Sequence, residues 1–125
     1  MKIQEAAENY LESILVLKNK DGHVRSIDVV NHMNVSKPTV SVVMKQFREN
    51  GYISMDDDGY ITLTEKGEEI AVRTYERHTV IAEILMKLGV DEGTAYSDSC
   101  KIEHAISETS FERIKECYLK SKELS

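Results

Sequence analysis

One short segment of the sequence most constrains the fold, because its hydrophobic pattern differs from that of the rest. Residues 52–55 and 60–63 are β-prone runs, and the turn between them holds three aspartates followed by Gly59. Glycine can take the positive φ that a tight hairpin turn requires. Elsewhere apolar residues recur at spacings of three and four, which is typical of amphipathic helices. The chain is therefore predicted to be mostly α-helical, with one small β-hairpin at residues 52–63.

Three helices are predicted before this hairpin, and the first of them ends near Asn19. Ser26 is expected to cap a short second helix that runs to Met33. Ser36 is expected to cap the third, with Pro38 in the first turn, where its missing N–H costs nothing. The expected buried stripe of the third helix is Val40, Val43 and Phe47. Helix, tight turn, helix and two-stranded wing is the order of a winged helix-turn-helix, whose second helix enters the major groove of DNA.

The distribution of charge agrees with contact between this third helix and DNA. The chain has 16 Lys+Arg against 22 Asp+Glu, a net charge of −6, which excludes a generic polycation that coats nucleic acid. Residues 34–48 nevertheless contain three basic residues and no acidic one, as phosphate contact requires. The predicted DNA contacts open this helix or face outward from it; they are Ser36, Lys37, Pro38, Thr39, Ser41, Val42, Lys45 and Gln46.

An ordinary helical hairpin with a solvated basic face is the alternative interpretation of this segment. The predicted hairpin in the position of a wing argues against it. The three aspartates at the tip, Asp56, Asp57 and Asp58, would repel DNA phosphates. The tip is therefore expected to stay away from the DNA backbone or to bind it weakly.

Three further helices are predicted after the hairpin. They span residues 64–89, 91–106 and 107–119, with Ser107 as a cap and a frayed polar tail at residues 120–125. This half carries more apolar surface than one small helical domain can hide, which predicts a homodimer. The residues expected at the dimer interface are Val80, Ile81, Ile84, Leu88, Ile102 and Ile106.

A candidate metal site lies in the second half of the chain. Cys100, Glu103 and His104 stand at positions i, i+3 and i+4, so a helix places all three on one face. Thiolate, carboxylate and imidazole together favour a divalent transition metal over magnesium. His78 lies on the inward stripe of the preceding helix and is a fourth candidate. A buried structural cysteine and a hydrogen-bonded core histidine would give the same pattern, so both interpretations stay open at this point.

The chain has two cysteines, Cys100 and Cys117, and neither a charged-then-apolar leader nor an apolar run near the ~18 residues that span a bilayer. We expect a cytoplasmic protein with reduced thiols and no membrane partner.

The sequence resembles the diphtheria-toxin-repressor and manganese-transport-regulator family of metal-dependent repressors, almost from end to end. The resemblance rests on five motifs: Glu8-Asn9-Tyr10-Leu11, Val35-Ser36-Lys37-Pro38-Thr39-Val40-Ser41, Leu63-Thr64-Glu65-Lys66-Gly67, Arg77-His78, and Cys100-Lys101-Ile102-Glu103-His104-Ala105-Ile106-Ser107. It implies a winged-helix DNA-binding domain at residues 1–64 and a helical metal-binding and dimerisation domain at residues 65–125. It also implies Fe(II) or Mn(II) as the corepressor and metal-uptake genes as the targets. The third domain of longer members is not expected.

Carried over position by position, the resemblance implies six metal ligands, which are Asn9, Glu12, His78, Cys100, Glu103 and His104. Asn9 departs from the family, because the iron branch usually has Met there and the manganese branch Asp. Ala82 stands where the family usually carries Glu, with Glu83 one position later and turned by ~100°. Tyr96 stands where some iron-type members have another His. One well-formed metal site is therefore expected rather than two.

The leading hypothesis for function is a homodimeric, metal-activated repressor that binds a palindromic operator in double-stranded DNA. The second is a metal-independent winged-helix regulator in which Cys100 and His104 are structural. The third is a metalloenzyme, which is disfavoured because the sequence has neither a His-Glu-x-x-His pair nor two Glu-x-x-His helices. Neither enzymatic activity nor a small-molecule substrate is therefore predicted.

Overall fold

A computed structural model of the chain describes residues 5–124, which form six α-helices and one antiparallel pair of strands. In chain order these are α1 (Glu5–Asp21), α2 (Ser26–Met33), α3 (Lys37–Glu49), β1 (Ile53–Met55), β2 (Ile61–Leu63), α4 (Glu65–Lys87), α5 (Glu92–Ala105) and α6 (Glu108–Leu124). Contacts divide the chain into two compact units, one up to Thr74 and one from Tyr75. Residues 1–4 and Ser125 of the two predicted domains lie outside the described residues. Within residues 5–124, no helix combines the length and the hydropathy needed to cross a membrane.

The first unit is the predicted winged helix-turn-helix. Its core joins α1, α2, α3, the two strands and the start of α4, and its fully buried side chains include Leu11, Ile14, Val29, Val40 and Phe47. The first helix continues to Asp21, slightly past its predicted end. The antiparallel strands pair Ile53 with Leu63 and Met55 with Ile61. The fold class predicted from the sequence is confirmed.

The start of α2 differs from the prediction that Ser26 caps it. Ser26 is the first helical residue, and Arg25 stands at the N-cap position with an extended backbone. The Asp28 carboxylate accepts a hydrogen bond of 2.9 Å from the Arg25 backbone N–H. The N-terminus of α2 is thus capped by the carboxylate of a residue in its first turn rather than by a serine hydroxyl.

The start of α3 is as predicted, because Ser36 Oγ accepts from the Thr39 backbone N–H at 3.3 Å and Pro38 lies in the first turn. The buried stripe is partly different. Val40 and Phe47 are fully buried, but the third buried residue is Met44, 2% exposed, whereas Val43 is only half-buried. Met44 belongs to the unit's core, and Val43 packs against that core from its edge.

The hairpin is fixed to the start of α4 by a cap and a close contact. Thr64 Oγ1 donates to the Gly51 carbonyl at 2.6 Å and accepts from the Gly67 backbone N–H at 3.2 Å. Gly59 has the predicted positive φ of 85° in the turn between the strands. On the outer side, Tyr60 bridges to Arg25, whose guanidinium lies 4.4 Å from the centre of the tyrosine ring.

The second unit contains most of α4 together with α5 and α6. Asp91 caps α5, and Ser107 Oγ accepts from the Ser110 backbone N–H at 3.1 Å as the predicted cap of α6. The predicted frayed tail is wrong for residues 120–124, since α6 runs to Leu124. The Lys122 ammonium lies 5.2 Å from the Tyr118 ring, one helical turn away, and this contact supports the extra turn.

Candidate functional site

The recognition helix α3 presents its predicted DNA contacts to solvent. All eight residues from Ser36 to Gln46 that the sequence singles out are exposed, and Val42 is 56% exposed. An exposed branched apolar side chain can contact the methyl group of thymine. A groove of about 430 Å³ runs beside them; it is lined by Ser26, Ile27, Val30, Lys37, Ser41, Met44, Arg48 and Met55. This surface combines two cations and two hydroxyls above an apolar floor.

Two of the eight candidates, Ser36 and Thr39, also form the N-terminal cap of α3. Ser36 Oγ lies 2.7 Å from Thr39 Oγ1 in addition to accepting from the Thr39 backbone N–H. Their hydroxyls are therefore already oriented by the cap, whereas Lys37 and Lys45 extend from the exposed face of the helix.

The acidic tip of the wing uses one of its three carboxylates internally. Asp56 Oδ1 accepts from the backbone N–H groups of Asp58 at 3.0 Å and Tyr60 at 2.9 Å. Asp57 and Asp58 are exposed. Negative charge thus remains at the tip, as the sequence indicated.

The predicted metal ligands of α5 converge in the second unit. One ligand atom from each of Cys100, Glu103 and His104 lies within 4.8 Å of the other two. Glu103 is only 1% exposed, and its Oε1 lies 3.2 Å from His104 Nε2. Burying a carboxylate is costly unless a cation or strong hydrogen bonds compensate it. Sulfur, oxygen and nitrogen donors around a buried carboxylate fit a divalent transition metal such as iron or manganese.

His78 on α4 lies close to the Glu103 carboxylate of this cluster. One of its ring nitrogens lies within 4.8 Å of a Glu103 carboxylate oxygen. Its Nε2 is 3.1 Å from the Tyr96 carbonyl, which can only accept, so Nε2 is the donor in this hydrogen bond. The Tyr96 ring packs edge-on against the imidazole at 5.5 Å. A backbone carbonyl that fixes the tautomer is the usual support for a metal-binding histidine.

Positions 82 and 83, where the sequence departs from the family pattern, add no free donor to this cluster. Ala82 is fully buried and offers no donor. The Glu83 carboxylate accepts a short hydrogen bond from the Tyr118 hydroxyl of α6. This contact raises the pKa of Tyr118 and commits Glu83 to packing between α4 and α6.

The other two predicted ligands belong to the first unit. Asn9 and Glu12 lie three residues apart on α1, so they share a face of that helix, and both are half-buried.

The expected dimer residues differ in their exposure. Leu88 is 77% exposed; Val80, Ile84, Ile102 and Ile106 are half-buried, and Ile81 is buried, with 5% of its surface exposed. Next to Leu88 lies an apolar groove of about 320 Å³ between α4 and α6; its lining is Ile84, Lys87, Leu88, Ile114, Cys117, Tyr118 and Ser121.

One buried residue near the cluster was not identified from the sequence, beyond its place in the Arg77-His78 motif. Arg77 is 9% exposed and donates hydrogen bonds to the carbonyls of Glu103 at 2.9 Å and Ile106 at 3.3 Å. An arginine on a charged, mostly solvated helix gives no sequence signal of burial, because its carbonyl partners lie 26 and 29 residues away.

Comparison with known proteins agrees with this description. The family model for the N-terminal DNA-binding domain of iron-dependent repressors matches residues 2–61. The model for their metal-binding and dimerisation domain matches residues 64–123.

Individual relatives give the same answer. An HTH-type transcriptional regulator of Methanocaldococcus jannaschii is 34% identical over 115 residues, which are 90% of this chain and 92% of that protein. The HTH-type transcriptional regulator MntR of Lysinibacillus sphaericus is 32% identical, with 86% of this chain and 77% of that protein covered. The crystal structure of the metal-dependent transcriptional regulator MtsR superposes with a TM-score of 0.81 at 26% identity, covering 89% of this chain and 52% of its own. The chain spans about half the length of MtsR and of several other solved structures that it matches. The chain belongs to the iron-dependent repressor family of transcriptional regulators.

Proposed function

We propose that this protein is a homodimeric, metal-activated repressor that binds operator DNA and controls genes of iron or manganese homeostasis in the cytoplasm. Residues 1–64 serve as the DNA-binding part and residues 65–125 as the metal-binding and dimerisation part. The observation that carries the proposal is the convergence of Cys100, Glu103 and His104 around a buried carboxylate, in a chain that also contains a winged helix. The family supports it, and enzymatic turnover is not expected of a family of transcriptional regulators.

The metal is held by the donors of α4 and α5, namely His78, Cys100, Glu103 and His104. Glu12 and Asn9 are further proposed ligands, on the strength of the family resemblance. A bound Fe(II) or Mn(II) supplies positive charge that compensates the buried Glu103 carboxylate. The ion acts as an effector because its binding free energy favours the form of the protein that binds DNA.

The DNA contacts are proposed to divide by residue type. Lys37 and Lys45 bind phosphates, and Ser36, Pro38, Thr39, Ser41 and Gln46 bind phosphates or base edges. Val42 contacts a thymine methyl group. A dimer reads two half-sites about 34 Å apart on a palindromic operator. The dimer is proposed to form through exposed apolar residues of the second unit, with Leu88 and Ile84 at its centre.

A DNA mobility-shift assay with purified full-length protein tests this function. The probe is a duplex selected from a random pool by the Mn(II)-loaded protein. The assay is run with Mn(II), Fe(II), Co(II) and Zn(II), each with and without a chelator. We expect the shift with at least one metal and its loss with chelator.

Matched cysteine variants locate the metal. Cys100→Ser should lower the affinity for the metal in a direct titration, whereas Cys117→Ser, which changes an exposed thiol outside the cluster, should leave that affinity unchanged. A shift that survives the chelator would support the metal-independent regulator instead.

A further inference from the structure

Beyond the ligands, one residue holds the part of α5 that carries two of them. We propose that Arg77 is a positioning residue of the metal centre, because its guanidinium fixes the backbone of the helix turn that presents Glu103 and His104. This inference deepens the proposed function and rests on it for the identity of the centre.

The contacts of Arg77 are concentrated at one junction. Nη1 donates to the carbonyl of Glu103 at 2.9 Å, and Nη2 donates to the carbonyl of Ile106 at 3.3 Å. Nη2 also lies 3.8 Å from a carboxylate oxygen of Glu108, and the guanidinium carbon is 5.2 Å from the centre of the Phe111 ring. One buried cation therefore joins the end of α5, the residue after it and the beginning of α6.

The end of α5 has no left-handed residue directly after its last turn. The last four carbonyls of a helix have no partner within it. Many helices solve this with a left-handed residue after the last turn, as α2 does with Asn34. The residue that follows α5, Ile106, instead has an extended backbone with φ −104° and ψ 153°. Arg77 supplies from α4 the donors that a local cap would provide, and its positive charge suits the negative end of the helix.

Glu103 is held at two points, through its backbone carbonyl and through its side chain. Arg77 binds the Glu103 carbonyl, while the Glu103 carboxylate lies in the cluster with Cys100 and His104. Next to Arg77, His78 donates to the Tyr96 carbonyl near the start of α5. Two consecutive residues of α4 thus hold α5 at two points along its length, and the ligands lie between these points or beside the second.

A lysine cannot replace this arginine fully. Two carbonyls in different directions need the planar fork of a guanidinium, whereas an ammonium is a single point charge on a flexible stem. Cys100 lies one turn earlier, inside the regular helix. Loss of Arg77 should therefore loosen Glu103 and His104 and leave the thiolate in place.

Co(II) binding to the full-length protein tests the inference. Titration calorimetry measures the affinity, and the electronic spectrum reports the ligands around the ion. Arg77→Met should weaken Co(II) binding by about 10- to 100-fold, the usual effect of losing a group that orients a ligand. It should also change the d–d bands while the thiolate-to-cobalt charge-transfer band remains. Arg77→Lys should recover only part of the affinity. Arg113→Met, at an arginine whose side chain is 78% exposed, is the control and should behave as wild type.

The outcomes separate the two proposals. Wild-type protein that does not bind Co(II) contradicts the metal centre itself. Wild-type protein that binds Co(II), together with an Arg77→Met variant of equal affinity and spectrum, overturns the positioning role alone. A purely structural role would lower the melting temperature of the metal-free protein without changing the spectrum of the folded variant, and this result also overturns the inference. If Arg77→Met does not fold, Arg77→Lys decides the question by the same two measurements.

Discussion

Gly67 lies so close to the backbone carbonyl of Tyr52 that a Cβ atom on Gly67 would overlap the carbonyl oxygen. This contact places the first turn of α4 directly against the residue that leads into the wing. The Tyr52 carbonyl also accepts from the Thr64 backbone N–H at 3.1 Å, so it cannot move away without breaking that bond. The motif Leu63-Thr64-Glu65-Lys66-Gly67 is thus a structural device that fixes the wing to α4.

We predict that Gly67→Ala destabilises the protein. Overpacking against fixed neighbours costs about 1–3 kcal/mol, which exceeds the ~1 kcal/mol that alanine gains over glycine within a helix. Urea unfolding of the metal-free protein measures the difference. Gly93→Ala is the control, because a Cβ there would meet only Asp91 Oδ2 at an ordinary distance of 3.6 Å. An unchanged unfolding free energy for Gly67→Ala would show that the contact is looser than described.

Local signals in the sequence were sufficient for most of the fold. Ser36, Gly59 and Ser107 act where they were predicted, because a cap or a positive φ depends on residues within three or four positions. The choice between Val43 and Met44 could not be made locally, since both border the apolar stripe and only packing against the core decides between them. The extra turn of α6 places Lys122 over the Tyr118 ring, a contact that no apolar periodicity reveals.

Local signals in the sequence predicted only part of the candidate metal site. Cys100, Glu103 and His104 share a helix, so their spacing alone brings them together. The contribution of Arg77 depends on how α4 packs against the end of α5, and that packing is not encoded in any short motif. Sequence analysis cannot identify which backbone carbonyl accepts a hydrogen bond, because every residue has a backbone carbonyl.

Binding to DNA should depend steeply on salt through the lysines of α3. Lys37→Ala should reduce the slope of log affinity against log salt concentration by about one unit, the effect of losing one phosphate contact. Lys120→Ala, at an exposed lysine of α6, is the control and should leave the slope unchanged. Mobility shifts over a range of salt concentrations measure both. An unchanged slope for Lys37→Ala would remove that residue from the phosphate contacts.

Leu88 should matter for dimer formation because it is the most exposed large apolar side chain in the described part of the chain, at 77%. Leu88→Lys places a charge in a surface proposed to be buried in the dimer. The dissociation constant of the dimer should therefore be larger than that of wild type. Sedimentation equilibrium measures the dissociation constant. Ile27→Lys, at an exposed position of the first unit, provides the comparison. Equal dissociation constants for Leu88→Lys and wild type would exclude this surface.

The cap of α5 predicts a dependence of stability on pH. Hydrogen bonds from Thr94 to the Asp91 carboxylate hold the pKa of Asp91 below its usual value. The bond from the Thr94 backbone N–H has the larger effect, and the bond from its hydroxyl has the smaller one. A carboxylate whose pKa is lower in the folded state stabilises the protein above the unfolded pKa of about 3.9. That stabilisation is lost as the pH falls through the folded pKa.

Asp91→Ala should therefore lower the melting temperature of the metal-free protein at pH 7, and the gap from wild type should narrow as the pH falls below about 3.9. Asp91→Asn retains an acceptor for the cap and should lie between the two. Thermal unfolding followed by circular dichroism across this pH range measures the gap. A gap that stays constant down to pH 3 would mean that the ionised form of Asp91 contributes nothing to the cap.

Metal preference should be set chiefly by Cys100 and Asn9, where the chain departs from or mixes the patterns of its family. A thiolate favours metals later in the Irving–Williams order, whereas Mn(II) prefers oxygen. The double variant Cys100→Glu with Asn9→Asp replaces sulfur and a neutral amide with anionic oxygens, so it should shift affinity toward Mn(II) relative to Fe(II) and Co(II). Each single change should act in the same direction but not additively, because both side chains are proposed to bind one ion. Titrations of the three metals into wild type and the variants measure the order, and identical orders would mean that neither side chain is a ligand.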